Sequence, residues 1–203
     1  MAQEWNIVDR VEIMPKSESY VTYKDHKVDF VNKQQTRLLN PNKTNMGKVS
    51  KRIIQNINDG IRSKFAVQQW RSTTDVIKWF NSLENKERGT FIKFDMENFY
   101  PNTTEELLKN SISWAVQFIE ITPEDKKIIL ATKQNLLYSE NQAWTKKNES
   151  KCDVTMGSWD GAEACELVGL FILSKLHTLN INLGLYRDDG VAMTTQRPQQ
   201  VES

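Results

Sequence analysis

Leu185-Tyr186-Arg187-Asp188-Asp189-Gly190-Val191-Ala192-Met193 decides how the rest of this chain is read. Apolar residues on either side of Arg-Asp-Asp-Gly predict two short strands, spanning Leu183 to Met193, joined by a tight turn with Asp188-Asp189 at its tip. Aspartate and glycine are also simply good turn residues, so the pair alone proves nothing. A third carboxylate changes the question. Thr90-Phe91-Ile92-Lys93-Phe94-Asp95 is β-prone, with Thr90, Ile92 and Phe94 alternating onto one face and Asp95 at the strand's end. Carboxylates gathered within a few ångströms raise one another's pKa unless a cation neutralises them. Mg²⁺ suits such a cluster, with Mn²⁺ as an alternative ion, because it prefers hard oxygen ligands and binds through one or two carboxylates plus substrate phosphates. Two such ions, about 3.5–4 Å apart, can stabilise both the attacking and leaving oxygens of phosphoryl transfer.

Composition is compatible with that chemistry. The 203 residues are 38% hydrophobic and 26% charged, ordinary for a soluble globular protein with one core or two interleaved lobes. No stretch reaches the roughly 18 apolar residues of a membrane span, and the opening MAQEWNIVDR is too charged for a signal peptide. The expectation is an intracellular protein, nucleus or cytoplasm undistinguished, without a membrane partner. Cys152 and Cys165 show neither metal-ligand nor disulfide spacing. The net charge of +1 conceals an asymmetry: residues 1–90 carry 16 Lys and Arg against 10 Asp and Glu, and the remainder 11 against 16. A basic first half attracts polyanions, and an acidic second half tolerates phosphate only with cations between.

Working outward, Tyr20 to Lys64 holds ten Lys and Arg against three acids and reads as a basic hairpin followed by a helix, with helical spacing at Val49, Ile53 and Ile57. A second helix starts at Thr73 and is broken between Glu84 and Gly89. Beyond Pro101 a helix is expected with Thr103 and Glu106 as its capping box, and another from Pro123 to about Leu137 capped by Thr122. Asn141 to Asp153 reads as loop, and Gly161 to Leu179 as a long buried helix.

Three segments in order resemble the motifs of reverse transcriptases. Phe91 to Asn102, FIKFDMENFYPN, is similar to motif A; Met156 to Leu173, MGSWDGAEACELVGLFIL, to the motif B loop and helix; LYRDDGVAM to the YxDD hairpin of motif C. Upstream, YKDHK, TRLLNP and GKVSKRI resemble the fingers of Penelope-like retroelement polymerases, so the likeness runs from Tyr20 to Met193. It implies an α/β (α+β) palm with an antiparallel sheet and helices, plus basic helical fingers. Residues 1–89 would be N-terminal fingers, 90–104 palm with motif A, 105–150 fingers and palm helices with a loop, and 151–203 palm with motifs B and C.

The resemblance implies an RNA-directed DNA polymerase, a nucleotidyltransferase using two Mg²⁺ ions to extend a primer 3′ end, with RNA or DNA template-primer and deoxynucleoside triphosphates as partners. Asp95, Asp188 and Asp189 become catalytic metal ligands, with the Met96 carbonyl as a further metal donor. Tyr100 would pack beneath the sugar and exclude a 2′-hydroxyl; its alternative is a core aromatic. Lys24, Lys27 and Arg37 would reach triphosphate or template backbone. Met156 and Gly157 would let the motif B backbone approach the nucleotide and its template base. His26 falls in the Lys-x-His-Lys match, whereas His177 reads as a core or boundary histidine.

Two departures stand out. Gly161-Ala162 replaces the common Ser-Pro of motif B, which bears on template positioning. The sequence stops at Ser203, soon after motif C, so a thumb is expected to be missing and this chain alone to be poorly active or inactive. A silent remnant that binds nucleic acid, or an RNA-dependent RNA polymerase palm, remains an alternative; oligomeric state, template and host element stay open.

Overall fold

The structure, a computed structural model, describes residues 18–25, 30–41, 43–134, 136–144, 152, 154–179 and 181–195. Strands β1 (Tyr20–Tyr23) and β2 (Thr36–Leu39) form the expected basic hairpin, with Tyr20 opposite Leu39 and Tyr23 opposite Thr36. Helix α1 (Asn45–Lys64) is longer than the Lys48–Ile57 stretch read from sequence. The Thr44 hydroxyl caps it by accepting from the Gly47 N–H at 3.0 Å, and the buried stripe of Ser50, Ile54 and Ile57 continues through Ile61.

Next come β3 (Gln68–Gln69) and α2 (Thr73–Ser82), the latter held by a capping box between Ser72 and Asp75. Strand β4 (Thr90–Asp95) leads into the one-turn helix α3 (Phe99–Asn102) and then α4 (Glu105–Ala115). Here the sequence reading needs correction: Thr104, not Thr103, caps α4, its hydroxyl accepting from Leu107 N–H at 3.1 Å. Thr103 instead turns inward and donates to the Phe99 carbonyl at 2.8 Å, closing α3.

Helix α5 (Pro123–Ala131) has the anticipated Thr122 cap, which Asp125 completes as a capping box, but ends well before Leu137. The chain turns there, with the Lys133 N–H donating to the Leu130 carbonyl. The span read as loop contains half of a small hairpin, β5 (Leu137–Ser139) with β6 (Gln142–Trp144), which turns through left-handed Glu140 and Asn141. Helix α6 (Gly161–Leu176) closes in a 3-10 turn at His177–Leu179, and β7 (Asn182–Tyr186) and β8 (Asp189–Thr194) are the last strands among the described residues.

The larger sheet has the order β3-β7-β8-β4, with β8 antiparallel to both neighbours and β3 parallel to β7. Helix α6 lies at the centre and is apolar on nearly every side, as a helix enclosed by two layers must be. Towards the helices, Leu167, Val168 and Leu170 join Ile54 and Ile61 of α1, Leu108 and Ile112 of α4, and Ile129 of α5. Towards the sheet, Leu173 meets Leu183, Leu185 and Ala192. A second cluster of Trp70, Trp79, Leu83 and Met193 packs α2 beside the sheet. Each fully buried leucine or isoleucine contributes roughly 1.5–3 kcal/mol by leaving water, so these layers fix the height at which the strand ends meet solvent. Among the described residues no helix is long and apolar enough to cross a membrane.

Candidate active site

Strands β4 and β8 pair so that Asp95 stands opposite Asp189, and Phe94 opposite Gly190. Glycine is required there: any Cβ on Gly190 would run into the Phe94 ring. Since Ile92 and Phe94 pack into the α6-side cluster, Phe91, Lys93 and Asp95 turn to the other face, and Asp189 goes with its cross-strand partner. Directly opposed β-carbons are about 4.5–5.5 Å apart, so the register makes the two aspartates neighbours at the ends of their strands. Lys93 shares this face, its Nζ 3.7 Å from Asp189 Oδ1.

The turn is displaced by one residue from the sequence reading. Tyr186 pairs with Asp189, so Arg187-Asp188 is the two-residue tip, and Arg187 takes the left-handed conformation such a turn demands, at φ +57°. Asp188 therefore lies beside the facing pair rather than in it. Its carbonyl accepts the Met96 N–H at 2.9 Å, stitching the tip to the chain leaving β4.

A cleft of about 740 Å³ opens over these residues, lined by Asp95, Met96, Tyr100, Asp188 and Asp189 together with Lys24, Arg37 and Met156. Lys27 and His26 lie outside the described residues. Gly157 does not line the cleft; at φ +103° it bends the chain beside Pro41, where a Cβ would come within 3.3 Å of the Pro41 Cα.

Tyr100 reaches the cleft through left-handed Asn98, which redirects the chain from β4 into α3. Burial pushes its phenol up to about 12; the neighbouring Cys165 and Asp188 add to the rise, and Arg187 opposes it. At neutral pH it is a neutral, half-buried ring beside the carboxylates. Burial likewise pushes the Cys165 thiol up to about 12, so it is inert.

Several residues here escaped the sequence reading. Asn40, only 4% exposed, takes the Ser19 hydroxyl on its Oδ1 at 3.2 Å, and its Nδ2 donates to the Leu136 carbonyl at 3.3 Å. Its N–H donates to the Met156 carbonyl at 3.0 Å, tying the basic hairpin to the motif B loop. Trp159, in the same loop, has the ammoniums of Lys43 and Lys48 at 5.7 and 5.4 Å from its ring centre. The only advance signal was the Asn-Pro turn at Asn40.

Among the described residues no three acidic, histidine or cysteine side chains converge into a ready-made metal site. Two facing carboxylates and a third in the adjoining turn are nevertheless the donor set that suits Mg²⁺, which completes its shell with water and substrate phosphates rather than a protein cage.

No family model and no curated protein sequence matches the chain. Among solved structures it is similar to apo telomerase from Candida tropicalis truncated from its C-terminal domain, with a TM-score of 0.57 over 76% of this chain at 18% identity. It is also similar to Candida tropicalis telomerase in complex with a TWJ fragment of telomeric RNA, with a TM-score of 0.63 over 98% of this chain at 12% identity. The mixed α/β fold is similar to that of these telomerase structures and consistent with a polymerase palm. This chain spans 35% and 40% of those two telomerase chains, so the likeness is one of architecture.

Proposed function

We propose that this chain forms the fingers and palm of an RNA-directed DNA polymerase of a retroelement, Penelope-like in its motifs. The observation that carries the reading is the pairing of Asp95 with Asp189, with Asp188 at the adjoining tip, in one cleft with Lys24 and Arg37. Carboxylates and cations that line one nucleotide-sized cleft suit a polyanion held through metal.

In this reading Asp95, Asp188 and Asp189, with the Met96 carbonyl, hold the two Mg²⁺ ions. When bound there, Mg²⁺ would supply charge neutralisation for phosphoryl transfer. Lys24 and Arg37, with Lys27, bind the triphosphate and orient it, since phosphoryl transfer depends mainly on alignment and electrostatics. Tyr100 closes the floor beneath the sugar, favouring deoxynucleotides. Met156 borders the base, and Gly157 shapes the loop behind it. The nucleic-acid partner agrees with the telomerase neighbour determined with RNA.

The test reads binding and incorporation together. Mn²⁺-dependent retention of a deoxynucleoside triphosphate, followed by electron paramagnetic resonance, is expected for this chain and lost in Asp95→Asn. Template-directed addition to a DNA primer on RNA is measured alongside. Absence of both from the unaltered chain would leave only a nucleic-acid-binding remnant.

A further inference from the structure

Lys133 and Asp160 are each 1% exposed, and Nζ lies 2.5 Å from Oδ1. Lys133 is the largest fully buried side chain among the described residues. The contact is charge against charge rather than an aligned hydrogen bond. Withdrawing two charges from water is costly, and apolar residues of similar volume usually hold a fold as well or better. Stability is therefore a poor reason for this pair to exist, and its location suggests another.

Lys133 lies just past the end of α5, and Asp160 immediately before α6. The Thr132 hydroxyl lies 2.8 Å from the other carboxylate oxygen of Asp160 and 2.8 Å from the Ile129 carbonyl, sharing its one proton between them, and the Ser50 hydroxyl of α1 is 3.2 Å from Thr132 Oγ1. Asp160 is thus fixed through both oxygens where α1, α5 and α6 meet. Five residues earlier, the Thr155 hydroxyl donates to the Asn40 carbonyl at 3.4 Å while the Met156 carbonyl accepts the Asn40 N–H at 3.0 Å. Residues 155–160 are strung between two buried polar anchors. Exposed Gly157 lies between them at φ +103°, and Met156 borders the cleft.

We propose that Lys133 is a positioning residue: through Asp160 it fixes the backbone of the 155–160 loop and thereby the wall of the cleft at Met156. A buried charge has one partner that it must stay beside, whereas an apolar replacement is satisfied by any apolar neighbour; that difference matters for a loop and little for a core. The consequence for nucleotide binding rests on the polymerase reading above; the consequence for the loop does not.

The experiment separates positioning from stability by replacing both charges at once. Lys133→Met with Asp160→Leu keeps the branching of each side chain close to the original and removes the need for a counter-ion, though leucine is larger than aspartate, so the variant should fold with a thermal midpoint near that of the unaltered chain. Amide hydrogen exchange in 155–160 should nonetheless accelerate tenfold or more, with the amides of α4 and β8 unaffected. Deoxynucleotide affinity should fall about tenfold. Should the double variant not fold, Thr132→Val, which removes one contact to Asp160, is expected to speed exchange in the same segment by a smaller factor. Unchanged exchange in 155–160 in a folded variant overturns the proposal. If the unaltered chain retains no nucleotide, the polymerase reading falls, and the exchange measurement still decides the role of Lys133.

Discussion

Asp95 and Asp189 face each other across the β4–β8 ladder, and Asp188 is joined to the same strand end by its carbonyl's hydrogen bond from Met96 N–H. Like charges directly opposed in a sheet are destabilising, by an amount of order 0.2–1 kcal/mol. Lys93 relieves part of this, but its Nζ is 3.7 Å from Asp189 and the side chains are 76% and 57% exposed, so the pair is weak. Asp95→Asn should therefore make the metal-free protein more stable, by up to about 1 kcal/mol, or about 2–4 °C in thermal midpoint for a chain of this size. The same substitution should abolish Mn²⁺ binding. Thermal melts with and without Mn²⁺ check both, and a fall in metal-free stability would mark Asp95 as structural.

Tyr100 reports on the same carboxylates. Its phenol is raised to about 12, chiefly by burial, so between pH 10 and 12 the folded chain keeps a proton that the unfolded chain loses. The stabilising contribution is complete below pH 10 and disappears as pH climbs through 12. Denaturation midpoints should accordingly fall over that window, and less steeply in Tyr100→Phe. Asp188→Asn should bring the phenol transition, followed by ultraviolet absorbance, downward, because Asp188 contributes to the rise.

Sugar selection follows from the same ring. Tyr100→Ala should narrow the preference for deoxynucleotides over ribonucleotides in a Mn²⁺-dependent binding competition, without changing Mn²⁺ affinity. An unchanged preference would return Tyr100 to the role of a core aromatic, consistent with its packing against Phe99 at 6.5 Å between ring centres.

Much of this arrangement was legible in sequence, for identifiable reasons. Strand β4 alternates cleanly, α5 carries Thr-Pro-Glu-Asp at its start, and Arg-Asp-Asp-Gly marks the turn. What escaped was tertiary. Which threonine caps α4 depends on Thr103 finding the Phe99 carbonyl, which local pattern does not reveal. The turn slipped by one residue because Arg187, not an Asp or Gly, takes the positive φ. The loop anchors were invisible because Lys133 reads as a surface lysine at a helix end, and only the approach of Asp160 from 27 positions later makes it a core residue. Gly157 was read as a backbone approach to nucleotide; its conformation and its closeness to Pro41 supply a local reason for glycine.

That reason is testable. Gly157→Ala forces a side chain into φ +103° with its Cβ 3.3 Å from Pro41 Cα. Sparsely populated backbone conformations cost about 1–3 kcal/mol, and a loss of that size is expected in urea denaturation. A loss below about 0.5 kcal/mol would show that the loop relaxes freely, which would also weaken the case for its anchoring.

The final prediction concerns the strand that a polymerase must hold. Residues 30–58 contain six Lys and Arg and no Asp or Glu, and Lys51 among them is engaged by Glu163 at 3.1 Å. Lys43 and Lys48 are instead held near the face of Trp159, which orients their ammoniums without cancelling their charge. Cations so placed are suited to phosphodiesters, and each phosphate contact contributes about 0.7 to the slope of log affinity against log salt for single strands. Lys43→Ala with Lys48→Ala should flatten that slope by about 1.4 for a single-stranded RNA or DNA oligonucleotide. Trp159→Leu should lower affinity by roughly 0.5–1 kcal/mol and leave the slope nearly intact, since it disturbs orientation and not charge. Lys78→Ala, at an exposed position of α2 and outside this basic stretch, is the control and should change neither. Fluorescence anisotropy titrations from low to moderate salt measure all four proteins. A slope that is the same in the double variant and the unaltered chain would mean that no strand passes over Lys43 and Lys48, and the basic stretch would be a solvated surface.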